Sequence, residues 1–216
     1  MPAPSHAVNS PLSYVNRALA LLGEDFLTDL IPESGATNAA AAMLYDAAVD
    51  HLLSCFEWRF ATRIASLSQL ADTAPSPWVA QYNLPANTLR VLDTDVPGEH
   101  FTIASNHDFS DEEGTRRLYA MRTGVRARVV VRPLDETFPP HFWNALVFRL
   151  AADLAPSITG NLTVAAAFDQ KAERALSEAK VLDYNENPSV IVPSMERDPR
   201  SNYADSADWF PWTGGY

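Results

Sequence analysis

The stretch that decides the predicted fold is PPHFWNALVFRLAADLAP, residues 139–156. From residue 142 to 155, only Asn144, Arg149 and Asp153 interrupt a run of apolar residues. A helix that is apolar most of the way round must be covered by neighbours on several sides. This segment is therefore predicted to be the central helix of a bundle, beginning at the prolines 139–140 and ending at Pro156. Arg149 and Asp153 lie four residues apart and are expected to form an ion pair.

Three further segments have helical spacing of their apolar residues. In the first, Ser10 is predicted to cap a helix that starts at Pro11 and stops at Gly23. The second is predicted to start at an Asn38 cap and to run to about residue 63, with many alanines on its contact face. The last covers residues 161–184, with Thr163 as its candidate cap.

Residues 75–135 have a different character, because prolines break the helical pattern and short alternating segments follow. The clearest is residues 125–132, in which apolar and basic residues alternate with the period of a half-buried strand. Shorter segments of the same kind lie at 89–91, 100–103 and 117–121. Together they predict a small antiparallel sheet.

The predicted fold is therefore mainly α: a discontinuous four-helix bundle, an inserted small antiparallel β region and an extended C-terminal arm. Residues 1–9 form an N-terminal segment, 10–66 and 139–184 the bundle, 75–135 the β region and 185–216 the arm. The bundle core is predicted to contain six large residues: Trp58, Phe60, Phe142, Trp143, Leu146 and Phe148.

Composition indicates a globular, acidic protein. The 216 residues are 47% hydrophobic and carry a net charge of -11, which opposes general nucleic-acid binding. No apolar run has the roughly 20 residues of a membrane-spanning helix, and no secretory signal is visible, so we expect synthesis in a cytoplasm and no membrane partner. The single cysteine, Cys55, excludes an internal disulfide and is expected to be a buried thiol.

No recognisable motif for catalysis or cofactor binding is present. The eight glycines lack the spacing of a phosphate-binding loop, and the five histidines form no His-x-x-x-His pair, so no zinc site is predicted. The acidic stretch 108–114 fails the calcium-loop pattern, because its sixth and twelfth positions are Glu113 and Tyr119. We expect no enzyme activity, cofactor or metal.

A basic face is predicted on the strand at 125–132. Arg126, Arg128 and Arg132 share the polar side of the alternation, and nucleic acid is one possible partner. Seven carboxylates between residues 93 and 113 offer another. Ion pairing within or between subunits is the preferred interpretation.

The segment after Asn187 contains prolines, acidic residues and spaced aromatics. It could lie on its own domain, but aromatic side chains are also typical anchors at protein interfaces. We therefore predict an arm that docks on another subunit or on a partner protein, through Tyr203, Trp209, Phe210, Trp212 and Tyr216.

Several short motifs follow one another in an order that resembles a known family. They are WRFA at 58–61, YNLP at 82–85, LRV at 89–91, FWNAL at 142–146 and LAADLA at 150–155, before an alanine-rich last helix. Over residues 10–184 this order resembles the head-to-tail adaptor of short-tailed bacteriophages, the tail tubular protein A family.

The resemblance implies a helical bundle with an inserted β region, assembled as a dodecameric ring between the portal protein and the tail nozzle protein of a virion. Viral DNA would pass through the ring without specific binding, and no catalytic residue is implied. Two alternatives are another ring protein of the particle, of the head-completion or tail-terminator type, and a cell-wall hydrolase that uses two carboxylates.

Overall fold

The computed structural model describes residues 9–71, 73–95, 100–105 and 116–186. These contain four α-helices: α1 (Pro11–Leu22), α2 (Ala36–Ser54), α3 (Pro140–Thr159) and α4 (Leu162–Asn185). Seven strands lie between α2 and α3: β1 (Thr62–Ser66), β2 (Ser68–Gln69), β3 (Ala80–Asn83), β4 (Thr88–Thr94), β5 (Phe101–Ser105), β6 (Arg116–Ala120) and β7 (Arg126–Val131). Short 3-10 turns occupy Pro32–Ser34 and Asp135–Thr137.

The prediction of a mainly α protein is wrong. About half of the described structure is helical and about a fifth lies in strands, which form two antiparallel sheets of three and four strands. The protein has a mixed fold in which the sheets form a second, smaller core beside that of the helices. The sequence interpretation underestimated the β region because it assigned residues up to about 63 to the second helix.

Helix α2 ends at Ser54, before the predicted end near residue 63, because of a contact made at its last turn. The indole Nε1 of the buried Trp58 donates a hydrogen bond to the backbone oxygen of Leu52, at 2.7 Å. This side chain satisfies a carbonyl that has no partner further along the helix, and the chain turns away into β1. Cys55 lies in that turn and is exposed, so the prediction of a buried thiol is wrong.

The helix ends show which capping predictions hold. Ser10 caps α1 through a reciprocal pair of hydrogen bonds with Ser13, and Gly23 ends the helix with a φ of 79°, as predicted. The predicted caps of α2 and α4 are wrong. Asn38 lies inside α2 and donates to Asp29, while α4 is capped by Asn161, whose side chain accepts from the backbone of Thr163.

Helix α3 is the central helix, as its composition predicted, and it contacts all three other helices. Nine of its residues are buried. Arg149 forms the predicted ion pair with Asp153, its Nε lying 3.0 Å from Oδ2, and also reaches Asp169 on α4 at 2.8 Å. The helix begins at Pro140 but continues through Pro156 to Thr159, so the predicted end at Pro156 is wrong.

The six residues predicted for the bundle core differ in their burial. Trp58, Phe142 and Leu146 are fully buried in a cluster that the helices share with Val130 of β7. Phe60, Trp143 and Phe148 are partly buried and pack against the rim of this cluster. Among the residues that the structure describes, no helix combines the length and apolar character needed to cross a lipid bilayer.

The two sheets pack face to face and enclose a second, smaller core. The strand order is β1-β7-β4 in one sheet and β2-β3-β6-β5 in the other. Side chains from both sheets meet in this β core: Ala80, Tyr82, Val91, Leu118, Ala120, Val125, Ala127 and Val129. The three-stranded sheet therefore lies between the helices and the four-stranded sheet.

The central aromatic cluster provides a test of this fold. Phe142 is fully buried, with the rings of Phe138, Phe60 and Trp58 centred 4.8, 5.0 and 5.1 Å away. We expect Phe142→Ala to lower the free energy of unfolding by about 3–5 kcal/mol. Trp143→Ala should cost less, since the half-buried indole packs at the rim beneath the guanidinium of Arg17. Urea unfolding of both variants measures the difference; equal losses would contradict the packing described here.

Candidate functional site

The three arginines of the predicted basic face all meet carboxylates of their own chain. The Arg126 backbone N–H donates to Asp95 at 3.1 Å, and its Nε lies 3.5 Å from the same carboxylate. Arg128 contacts Asp93 and Glu57, at 2.8 and 3.2 Å. The basic face is therefore charge-paired in the isolated chain.

The pairing of Arg128 with Asp93 follows from the sheet register. The two residues are directly opposite each other on the neighbouring strands β7 and β4. Both Nε and Nη2 of the guanidinium contact the carboxylate, and these hydrogen bonds raise the pKa of Arg128 above its ordinary value. Both side chains are more than a third exposed, so this pair contributes at most about 1 kcal/mol. The main effect of this ion pair is to favour the observed register between β7 and β4.

Arg132 connects the end of β7 to the helices. Its guanidinium lies 2.6 Å from Asp46 and 3.2 Å from Asp50, one helical turn apart on α2, and 3.9 Å from Asp135. Burial raises the pKa of Asp135, and Arg132 opposes that shift. The sequence predicted that the partners of Arg132 lie among the carboxylates at 93–113. Its contacts with the carboxylates of α2 could not be predicted without the tertiary structure.

An open groove of about 660 Å³ lies beside β1 and β7. Its walls are mostly apolar, and two guanidinium groups border it. The lining residues are Phe60, Arg63, Ala65, Pro85, Asn87, Val129, Val131, Arg132, Pro133, Leu134 and Thr137. Leu134 is 74% exposed, and an apolar side chain so exposed at the mouth of a groove indicates a surface suited to contact with another protein.

A second site brings together His141, Asp183 and Glu186. His141 is the second residue of α3, whereas the two acids lie at the end of α4. Nε2 of His141 is 3.7 Å from Asp183 Oδ1, and Nδ1 is 3.6 Å from Glu186 Oε1. Exposed fractions of the three side chains are 6%, 1% and 57%. The cluster thus has a buried side and an open side.

Two neighbours hold the buried half of this cluster in place. The backbone N–H of Arg59 donates to both carboxylate oxygens of Asp183, at 3.1 and 3.3 Å. The Trp58 ring stacks on the imidazole of His141 at a centroid distance of 6.3 Å. Burial raises the pKa of Asp183, and the hydrogen bond from Arg59 opposes this shift. The arrangement can hold a proton or a cation between its nitrogen and oxygen atoms.

The sequence interpretation missed this cluster because it searched for histidine pairs along the chain. A usable signal was present. Two helices joined by residues 160–161 must run antiparallel, which brings the start of α3 beside the end of α4. The spacing of Asp183 and Glu186 puts both acids on one face of α4, opposite His141.

Two features of the sequence fall outside the described residues. These are the predicted arm aromatics Tyr203, Trp209, Phe210, Trp212 and Tyr216, and the acidic stretch 108–114, which does not fit the calcium-loop pattern. Comparison with models of protein families gives no match, and a search of curated proteins finds none either.

Replacing the basic face tests the pairing. We expect the triple Gln variant of Arg126, Arg128 and Arg132 to lose about 1–3 kcal/mol of unfolding free energy, since partly exposed pairs contribute up to about 1 kcal/mol each. The same charge change at exposed arginines elsewhere should cost less; the matched control replaces Arg63, Arg90 and Arg174. Urea unfolding compares the two. Tight, salt-sensitive binding of duplex DNA by the wild-type chain, lost only in the first variant, would show that phosphates are the true partners.

Proposed function

We propose that this chain is a structural virion protein, the adaptor ring that joins the portal to the tail nozzle of a short-tailed bacteriophage. One observation carries the proposal: motifs of the resemblance that are far apart in the sequence meet in one core. Trp58 and Phe60 of the first motif contact Phe142 of a later one, with ring centroids 5.1 and 5.0 Å apart. These motifs therefore specify a shared packing arrangement.

The charge distribution supports a channel through which DNA slides. The net charge of the chain is -11, and Arg126, Arg128 and Arg132 already contact carboxylates. A ring of such subunits would repel the DNA backbone, whereas phosphate-binding lysines and arginines would retain it. Viral DNA would then pass without specific binding, as ejection requires.

The groove and the C-terminal segment supply a means of joining subunits. Residues 187–216 contain five large aromatic residues, four acidic side chains and only two basic ones. The groove offers apolar walls with Arg63 and Arg132 at its border. Fully extended, these residues could span up to about 100 Å, which is enough to reach an adjacent copy. We infer that the arm of one subunit docks in the groove of the next.

Assembly is expected to depend on the portal. The excess of negative charge makes subunits repel one another in solution, so we expect the purified chain to remain monomeric and to form rings only when portal protein is added. Light scattering with and without portal measures this. Stable rings without portal would contradict the template requirement, and failure to bind any portal ring would contradict the adaptor function itself.

Removal of the arm tests the joint between subunits. A chain that ends at Asn187 retains both hydrophobic cores, so we expect near-wild-type helix content by circular dichroism but no joining of subunits on the portal. Leu134→Asp, in the groove, should weaken binding of a peptide of residues 188–216 to the truncated chain. Leu162→Asp is the control, because Leu162 is 75% exposed but lies at the start of α4. Equal peptide binding by both variants would show that the arm docks elsewhere.

A further inference from the structure

We propose that His141, Asp183 and Glu186 bind one divalent transition-metal ion of the zinc class. The ligands would be Nε2 of the imidazole and one oxygen of each carboxylate. This site does not depend on the adaptor function, because it is built entirely from the α3–α4 hairpin and the turn at Trp58 and Arg59.

The first support is an unpartnered nitrogen in a buried place. Nε2 of His141 makes no hydrogen bond within the part of the chain that the structure describes, although the side chain is only 6% exposed. Buried polar atoms nearly always have a partner, and one without a partner needs an explanation. A metal ion bound at this nitrogen supplies the explanation.

The second support is the spacing of the donor atoms. Nε2 lies 3.7 Å from Oδ1 of Asp183, which is too long for a hydrogen bond. Two ligands bound to one zinc ion at about 2.0–2.2 Å each are roughly 3.3–3.7 Å apart in an open tetrahedral arrangement. One donor atom from each of the three residues can be chosen so that all lie within 4.8 Å of one another. Glu186 Oε1 lies 3.6 Å from Nδ1, the other ring nitrogen. Its carboxylate must therefore turn to reach an ion at Nε2, and it can do so because the side chain is more than half exposed.

The surroundings place two of the proposed ligands where a cation is favoured. Asp183 lies in the last turn of α4 and Glu186 caps this helix, at the end where the helix dipole attracts positive charge, whereas the start of α3, which carries His141, presents the opposite sign. The Arg59 backbone orients Asp183, and the Trp58 ring orients His141, as outer-shell groups do in metal sites.

The donor set indicates which metal would bind. One imidazole nitrogen with two carboxylate oxygens suits Zn²⁺, Co²⁺ or Mn²⁺, whereas Mg²⁺ and Ca²⁺ prefer oxygen ligands alone. Bound there, the ion would join the first turn of α3 to the last turn of α4.

The test uses the full-length chain, freed of metal by a chelator and titrated with Zn²⁺ by calorimetry. We expect one equivalent to bind. Glu186→Gln should weaken this binding by about tenfold or more, because changes even to outer-shell groups cost about 10–100-fold. Because Glu186 is exposed, the Glu186→Gln variant is expected to fold. His141→Gln should abolish Zn²⁺ binding.

Two control variants exclude adventitious binding. Glu178→Gln removes an exposed acid on α4, and His51→Gln removes an exposed histidine on α2; both should bind Zn²⁺ as the wild type does. Co²⁺ provides a second measurement, since visible absorption from the bound ion should appear in the wild type and be absent from His141→Gln. The proposal is overturned if the wild type binds no Zn²⁺ with metal in excess, or if Glu186→Gln and His141→Gln bind it as tightly as the controls.

Discussion

Strand β7 belongs to both hydrophobic cores, and the rest of the structure depends on this. Val130 is buried among the helices, whereas its neighbour Val129 is buried between the two sheets. Adjacent strand residues point to opposite faces, so one strand joins two cores only while its register is kept. A slip by one residue would exchange every side chain between the faces. The ion pair of Arg128 with Asp93 on β4 opposes such a slip.

The same strand places the basic residues against carboxylates of their own chain. Its helix-facing side carries Arg126, Arg128 and, just beyond its end, Arg132, and the carboxylates that meet them come from a turn, a neighbouring strand and α2. A cationic stripe on an acidic protein is therefore used to join structural layers. The apolar groove lies on the other side of the sheet, beside Ala65 and Val131.

Sequence patterns predicted correctly those helices and strands that depend mainly on their own residues. Helix α1 has its cap and stop in the sequence, α3 has its apolar run, and β7 has its alternation. Elements that depend on distant contacts were missed. The end of α2 depends on the Trp58 indole reaching back to Leu52, and β1 exists because β7 offers it an edge. The cluster at His141 was missed because it joins two helices, although the short connection between α3 and α4 requires that they lie side by side.

These features describe a chain with two hydrophobic cores, a groove on one sheet and a C-terminal segment rich in aromatic residues. Our proposal is that such chains form a ring in which each copy holds the next. The most direct test is a cryo-electron microscopy reconstruction of the virus particle that carries this chain. We expect a dodecameric ring of it between portal and nozzle, with arm density in the groove of each adjacent copy. Absence of the chain from the particle, or its location away from the neck, would contradict the account.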